Sequence, residues 1–346
     1  MIARSLRFLI PFAISAGLLI LLVYFLGDQL SAIPGDLLKA DWSLIPAAIA
    51  LYFVGIWVRS VRWRLLLPEH SVKLFTLFRA LVVGLTVNDV VPLRAGEVAR
   101  AYLLARWCRI PYGTTVASLV VERVLDGLSL AVLLLIALTL VPSPPPYLLV
   151  GAVGATAIFV TAATLLALAA WRASAIMALA GFVGRRLPRR FGTPIERLAS
   201  SFARALALVH SPARLARMLG LSLLAWGLEL GVFFVVMLSF RLPASYQLAL
   251  LVGSAANFST LVPSSPGYAG TFDFALTRVL QDAVAIPIPT ATAAAYDVVV
   301  HYAILILPVV VVGMLVLWRS HMTFGQITHT PERFTPQEAE ANRQAA

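Results

Sequence analysis

Residues 88–100 read Asn88-Asp89-Val90-Val91-Pro92-Leu93-Arg94-Ala95-Gly96-Glu97-Val98-Ala99-Arg100, and a second charged stretch, Glu122-Arg123-Val124-Leu125-Asp126, follows inside a long apolar run. The chain around them is 60% hydrophobic and only 12% charged, whereas soluble domains carry about 25% charged residues. A charged side chain at membrane depth costs roughly 3 kcal/mol or more, so it faces a bundle interior or wet cavity and finds a partner. The two stretches are therefore the candidate functional site, and the rest of the chain reads as its scaffold. The fold class that follows is all-α, a polytopic membrane protein.

The composition supports this. Mean hydropathy is +0.89 over 346 residues, and several apolar runs approach the 20 residues that a span needs. A net charge of +11 would suggest nucleic acid in a soluble protein. Here the basic residues cluster between apolar segments, so they speak for orientation and contact with anionic lipid, with no nucleic-acid partner expected. Cys108 is the one cysteine, so no intrachain disulfide forms. The apolar run from Leu6 to Leu26 is longer than a signal-peptide core and lacks a small-x-small cleavage site, so it reads as a retained first helix.

Six spans are expected, at about Leu6–Leu26, Leu44–Val58, Thr114–Val141, Tyr147–Trp171, Met218–Phe240 and Tyr296–Trp318. The second ends in Arg59, Arg62, Trp63 and Arg64, read as interface anchors, and the loop with Asp28, Asp36 and Asp41 lies outside. Two apolar runs, Leu74–Val87 and Gln247–Val262, are too short to span and lead into Pro92…Gly96 and Pro263…Gly270. Each reads as a re-entrant helical hairpin, the first entering from the cytoplasm and the second from outside. Irregular backbone at that depth must be buried in protein or line a cavity. Asn88 stands four residues before Pro92 and Asn257 six before Pro263, a pattern expected of an inverted-repeat transporter; eight plain spans are the alternative. Residues 172–217 hold nine arginines against Glu196, with apolar residues at helical spacing, and read as a basic cytoplasmic interfacial loop. The membrane domain then covers residues 1–320, and 321–346 form a polar tail expected to be disordered. Both termini are expected in the cytoplasm of a cell (plasma or inner) membrane protein.

Glu122 and Asp126, four apart, share a helix face, with Arg123 adjacent. Their expected partners are Arg94 and Arg100, which would hold an anionic headgroup phosphate while Glu97, Glu122 and Asp126 keep them in place. A buried ion network that only fixes helix packing is the alternative. Asn88 belongs to the same broken hairpin. In the second break, Ser264, Ser265 and Gly267 can line a phosphate-sized nest, with Asp273 facing the same cavity; a simple connecting loop is the alternative. Asp297 and His301, one turn apart, are a candidate proton relay or a hydrogen-bonded packing pair. No CxxC, HExxH, GxSxG or Walker A pattern occurs, and no D-x-D lies near a membrane boundary, so the expectation is a non-enzymatic protein without metal or cofactor.

These motifs resemble a known family. Asn88…Pro92-x-Arg94-x-Gly96-Glu97-x-x-Arg100, Glu122-Arg123-x-x-Asp126 and Pro263-x-x-Pro266-Gly267-x-x-Gly270 are similar to the transmembrane region of lysylphosphatidylglycerol synthase/flippase proteins, and Arg59-x-x-Arg62-Trp63 fits too. Where that family often has Gly-Gly and a later glutamate, Tyr268 and Asp273 stand here. The resemblance implies movement of a lipid headgroup between leaflets. Bifunctional members add a soluble aminoacyl-transfer domain; up to Ala346 this sequence holds only a short polar tail, so aminoacyl-lipid synthesis is not expected. The substrate expected is an anionic or lipid-linked phosphate. A membrane-embedded transferase on a lipid-linked substrate, or an accessory subunit of a partner enzyme in lipid synthesis, are the alternatives.

Overall fold

The structure, a computed structural model, describes residues 13–24, 27–67, 72–91, 94–108, 110–142, 144–186, 200 and 211–322. Pro92 and Leu93, both ends of the Leu6–Leu26 run, residues 187–199 and 201–210 of the expected interfacial loop and the tail from 323 lie outside them.

All regular structure among these residues is helical. The helices are α1 (Ala13–Tyr24), α2 (Ile33–Lys39), α3 (Ile45–Leu65), α4 (Leu74–Val90), α5 (Ala95–Cys108), α6 (Tyr112–Leu140), α7 (Pro146–Trp171), α8 (Ala173–Arg186), α9 (Pro212–Ser239), α10 (Tyr246–Ser259), α11 (Thr271–Asp282) and α12 (Thr290–Arg319). Proline in the first turn starts α2, α3, α7 and α9, where its missing N–H costs nothing. Ser211 and Ser245 cap α9 and α10 by accepting from Arg214 N and Leu248 N.

Four helices are long and apolar enough to cross a membrane: α3 with its leading turn, α7, α9 and α12. The pair α1–α2, bent by 86°, would make a fifth. This is a polytopic membrane protein. α6 has 29 residues, about 43 Å of helix, but carries Glu122, Arg123 and Asp126. α7 buries only Leu148 and Ala152 and exposes Val150, Ile158 and Leu165, the pattern of a lipid-facing helix. The acidic stretch expected as a loop is instead a 3-10 turn, Gly27–Ala32, running into α2. Pro34 opens that helix, and its Asp36 accepts from Thr292 on α12 at 2.7 Å.

α3 and α9 pack antiparallel. Leu51 lies against Gly231, Gly55 against the Ala225 carbonyl, and Asp41 N donates to Ser239 O at 2.9 Å. α4 and α5 form one tight hairpin and α10 and α11 another. In the first, a Cβ on Gly96 would overlap the Gly84 carbonyl oxygen, so glycine sets how closely the two helices approach. α4 also packs on α12, where Thr86 Oγ1 donates to Val309 O at 3.0 Å, and α10 packs on α6. Exchanging α3 with α9, α4 with α10, α5 with α11 and α6 with α12 reproduces the main packing pairs.

Candidate functional site

The charges of α3, α5, α6 and α9 converge in one buried network. Glu122 is 1% exposed and takes both terminal nitrogens of Arg100 at 2.9 Å each. That bidentate fork is the strong geometry for an arginine–carboxylate pair. Arg62, fully buried, pairs with Asp126 and donates to Ser222 Oγ at 2.6 Å. Arg59 meets Glu229 at 2.6 Å. Arg123 joins Glu122 at 3.0 Å, Asp126 at 3.2 Å and Glu97 at 3.7 Å. Four arginines thus face four carboxylates, and the network is neutral overall. Aromatic rings complete it. Arg59 lies over Trp226 and Arg100 over Trp63; Trp226 Nε1 donates to Asp126 at 3.1 Å, and Trp63 Nε1 to Ser118 at 3.0 Å.

The sequence makes this local geometry. Arg59 and Arg62 are three apart on α3, and Glu122 and Asp126 four apart on α6, so each pair shares a face. Gly84 has no side chain where the Arg100 stem passes, and a Cβ there would collide with it. Asn88 Oδ1 accepts from Gly96 N at 2.8 Å. Asn88 thus satisfies a free N–H at the start of α5 and ties the hairpin together.

Three expectations are corrected here. Arg59 and Arg62 are not interface anchors; both are buried in the network, while Arg64 is exposed. Asp126 takes Arg62 rather than Arg94 or Arg100, because α3 lies beside α6 at that depth. Arg100 has both terminal nitrogens committed to Glu122, so it belongs to the supporting network and is not free for a ligand. Glu229, Ser222 and Trp226 were not singled out as site residues. Glu229 carried a usable signal: a lone acid inside an apolar helix requires a cation, and α3 supplies one.

Arg94 stands apart. It sits just after the first break with φ 54°, half-buried, and makes no ion pair among the described residues. Its Nη2 donates to Thr260 O at 2.6 Å, at the start of the second break. Its guanidinium lies 5.7 Å from the Tyr268 ring centre. Gly267, at φ 63°, brings the second break against the Asp89 backbone. The tips of the two hairpins therefore meet. Arg123, with its side chain 41% exposed, and Glu97, 28% exposed, are the open edge of the network.

The second break is less open than a phosphate nest requires. Ser265 N donates to Ser15 Oγ of α1 at 2.7 Å and Ser265 Oγ donates to Ala269 O at 3.0 Å. A Cβ on Gly270 (φ 90°) would overlap the Ser15 carbonyl, so α1 closes this side. Ser264 is buried, and its Oγ has no partner among the described residues. Asp273 does not face the junction. It is 2% exposed, accepts from Gly270 N at 2.7 Å and from Tyr302 at 2.9 Å, and meets His301 Nδ1 at 2.6 Å. Asp297 and His301 are thus not a pair of their own; with Asp273 they form a buried cluster whose donor atoms lie within 4.8 Å of one another.

An apolar cavity of about 290 Å³ opens between α6, α7, α10 and α11, lined by Leu134, Leu148, Ala255 and Phe258 among others. Phe258 is two residues from Thr260, so the apolar cavity begins near the junction.

Among known proteins, the chain is similar to the glycosyltransferase AglD of Haloferax volcanii, 29% identical over 317 residues, which is 82% of this chain. It spans about half the length of that relative. Two UPF0104 membrane proteins of Methanothermobacter thermautotrophicus are 26% and 25% identical, over 69% and 77% of this chain and 77% and 80% of theirs. No solved structure matches. A model of the Lysylphosphatidylglycerol synthase TM region family matches residues 8–313, and this chain belongs to that family.

Proposed function

We propose that this protein is a lipid flippase or transporter: it moves an anionic phospholipid or a lipid-linked headgroup between leaflets and catalyses no covalent reaction. The observation that carries this reading is Arg94. It is a half-buried guanidinium without a carboxylate among the described residues, at the point where two helix breaks touch. A cation left unpaired at membrane depth asks for an anion, and a planar guanidinium suits a phosphate. Tyr268 and Thr260 border the headgroup place, and the apolar cavity along α10 and α11 takes acyl chain. Glu97, Glu122, Asp126, Arg100 and Arg62 hold this edge in position.

The symmetric packing pairs support six spans and two re-entrant hairpins. α3 and α9 run antiparallel, so a two-fold exchange relating them inverts the second half, as in transporters whose site lies where broken helices meet. The basic residues from Arg172 onward speak for a cytoplasmic face there and for cytoplasmic termini in a plasma membrane protein. Purification in mild detergent followed by native mass spectrometry tests the reading. Phosphate-bearing lipid should stay bound to the wild type and be lost from Arg94→Ala. Equal retention by both removes Arg94 from the headgroup site.

The name of AglD favours a second reading, a role on lipid-linked substrate beside or within a glycosyltransferase. A new covalent lipid product in cells expressing this chain supports a transferase. Lipid movement in liposomes holding only this protein, with no product, excludes it and also excludes an accessory subunit that requires its partner.

A further inference from the structure

The cluster on α11 and α12 takes no part in the ion network. Asp273 is satisfied by three neighbours: Gly270 N, the Tyr302 hydroxyl and His301. Asp297, one turn before His301 and 3% exposed, is not. Among the described residues its buried Oδ1 has no donor, and its carboxyl lies within 4.8 Å of the polar atoms of Asp273 and His301. Asp273 comes from α11, while Tyr296, His301 and Tyr302 share α12 with Asp297. The Tyr296 hydroxyl is taken by Phe233 O at 2.9 Å. α2, α3, α4 and α9 also pack on α12; Lys39 of α2 is taken by Asp36 at 3.0 Å, and among the described residues no lysine or arginine forms an ion pair with Asp297. Two carboxylates sealed together with no lysine or arginine repel unless a proton is held within the cluster.

Two further features converge on this place. A π-helical stretch, Val298–Ile306, begins directly after Asp297 and carries His301 and Tyr302. Such windings are rare and frequent at functional sites. Thr277, 2% exposed with an unpartnered Oγ1, stands on α11 one turn past Asp273, about 6 Å along the helix. It also lines a cavity of about 80 Å³ with Leu22, Phe274, Arg278, Gln281 and Thr290.

We infer that Asp297 is a proton carrier that couples lipid movement to the proton gradient, an inference that rests on the transporter reading. In loading, a hydronium gives its proton to an Asp297 carboxylate oxygen. One O–H bond breaks in hydronium, one forms on Asp297, and water leaves. The resulting acid donates to Asp273. In release the proton returns to water on the opposite side.

The test uses the purified full chain in liposomes with labelled phosphate lipid and an imposed pH gradient. One proton per lipid makes one pH unit worth about a tenfold change in the ratio between leaflets. The wild type should show that shift, reversed when the gradient is reversed. Asp297→Asn should lose it, and Asp297→Glu, which keeps a proton-carrying carboxyl, should restore it. Lipid movement indifferent to the pH gradient, or driven by sodium at constant pH, overturns the inference and leaves the transporter reading standing. If no lipid moves at all, the transporter reading falls, and infrared difference spectra decide the site alone. A protonated-carboxyl band in the wild type that is missing in folded Asp297→Asn supports the proton on Asp297; its absence from the wild type overturns it.

Discussion

The sealed network and the open junction use the same residue types for opposite ends. Arg62 and Arg100 are buried and paired with acids, and Arg100 is forked onto Glu122 and roofed by Trp63. Arg94, six residues before Arg100, is bonded to a backbone carbonyl and pairs with no acid among the described residues. An arginine that is already neutralised holds helices; one that is left with a free charge is available to a ligand. The contrast assigns roles that residue type alone does not.

The sharpest way to break the comparison is Arg62→Ala. Removing one partner of a buried pair costs about 3–5 kcal/mol, so thermal unfolding in detergent should fall steeply, with Asp126 left buried and uncompensated. An unchanged melt would mean the network is not structural. Next comes Arg94→Ala. Losing one charge-assisted contact to phosphate removes about 1.5–3 kcal/mol, a ten- to hundredfold loss of affinity in lipid titrations, while the melt stays near wild type. Gly96→Ala tests the hairpin between the two regions. A methyl has no room against the Gly84 carbonyl, and overpacking costs about 1–3 kcal/mol, seen as a lower melting temperature. The smallest effect on stability is expected at Arg123→Ala. Its side chain is 41% exposed, and pairs of that kind contribute about 1 kcal/mol or less, yet lipid affinity should still drop. A large stability loss there would move Arg123 into the sealed region.

Much of this was legible in the sequence, for physical reasons. Charges are so scarce that Arg94, Arg100, Glu122 and Asp126 stand out against apolar surroundings. Pro92 and Gly96, and later Pro263 and Gly267, break runs too short to span, so both hairpins could be placed. The Arg100–Glu122 pair followed from the need of a buried acid for a cation. What failed was long-range pairing. Arg59 and Arg62 resemble an interfacial cluster because positive residues at helix ends usually are one; only the antiparallel packing of α3 on α9 shows that they lie inside. Asp273 adjoins the second break in sequence, yet the first turn of α11 rotates it toward His301. The helix of residues 33–39 was missed because Pro34-Gly35-Asp36 reads as a turn and its acid is satisfied from α12, far along the chain.

The most direct test of the central account is lipid movement by purified protein in liposomes, scored by outer-leaflet accessibility of labelled anionic and polyprenyl-phosphate lipids over time. Wild type and Arg94→Ala would be compared after both are shown to be folded. The account predicts that the wild type moves a phosphate-bearing lipid and that the variant, equally folded, does not. Movement by Arg94→Ala at the wild-type rate would contradict it, because the site arginine that pairs with no acid among the described residues would then have no part in transport.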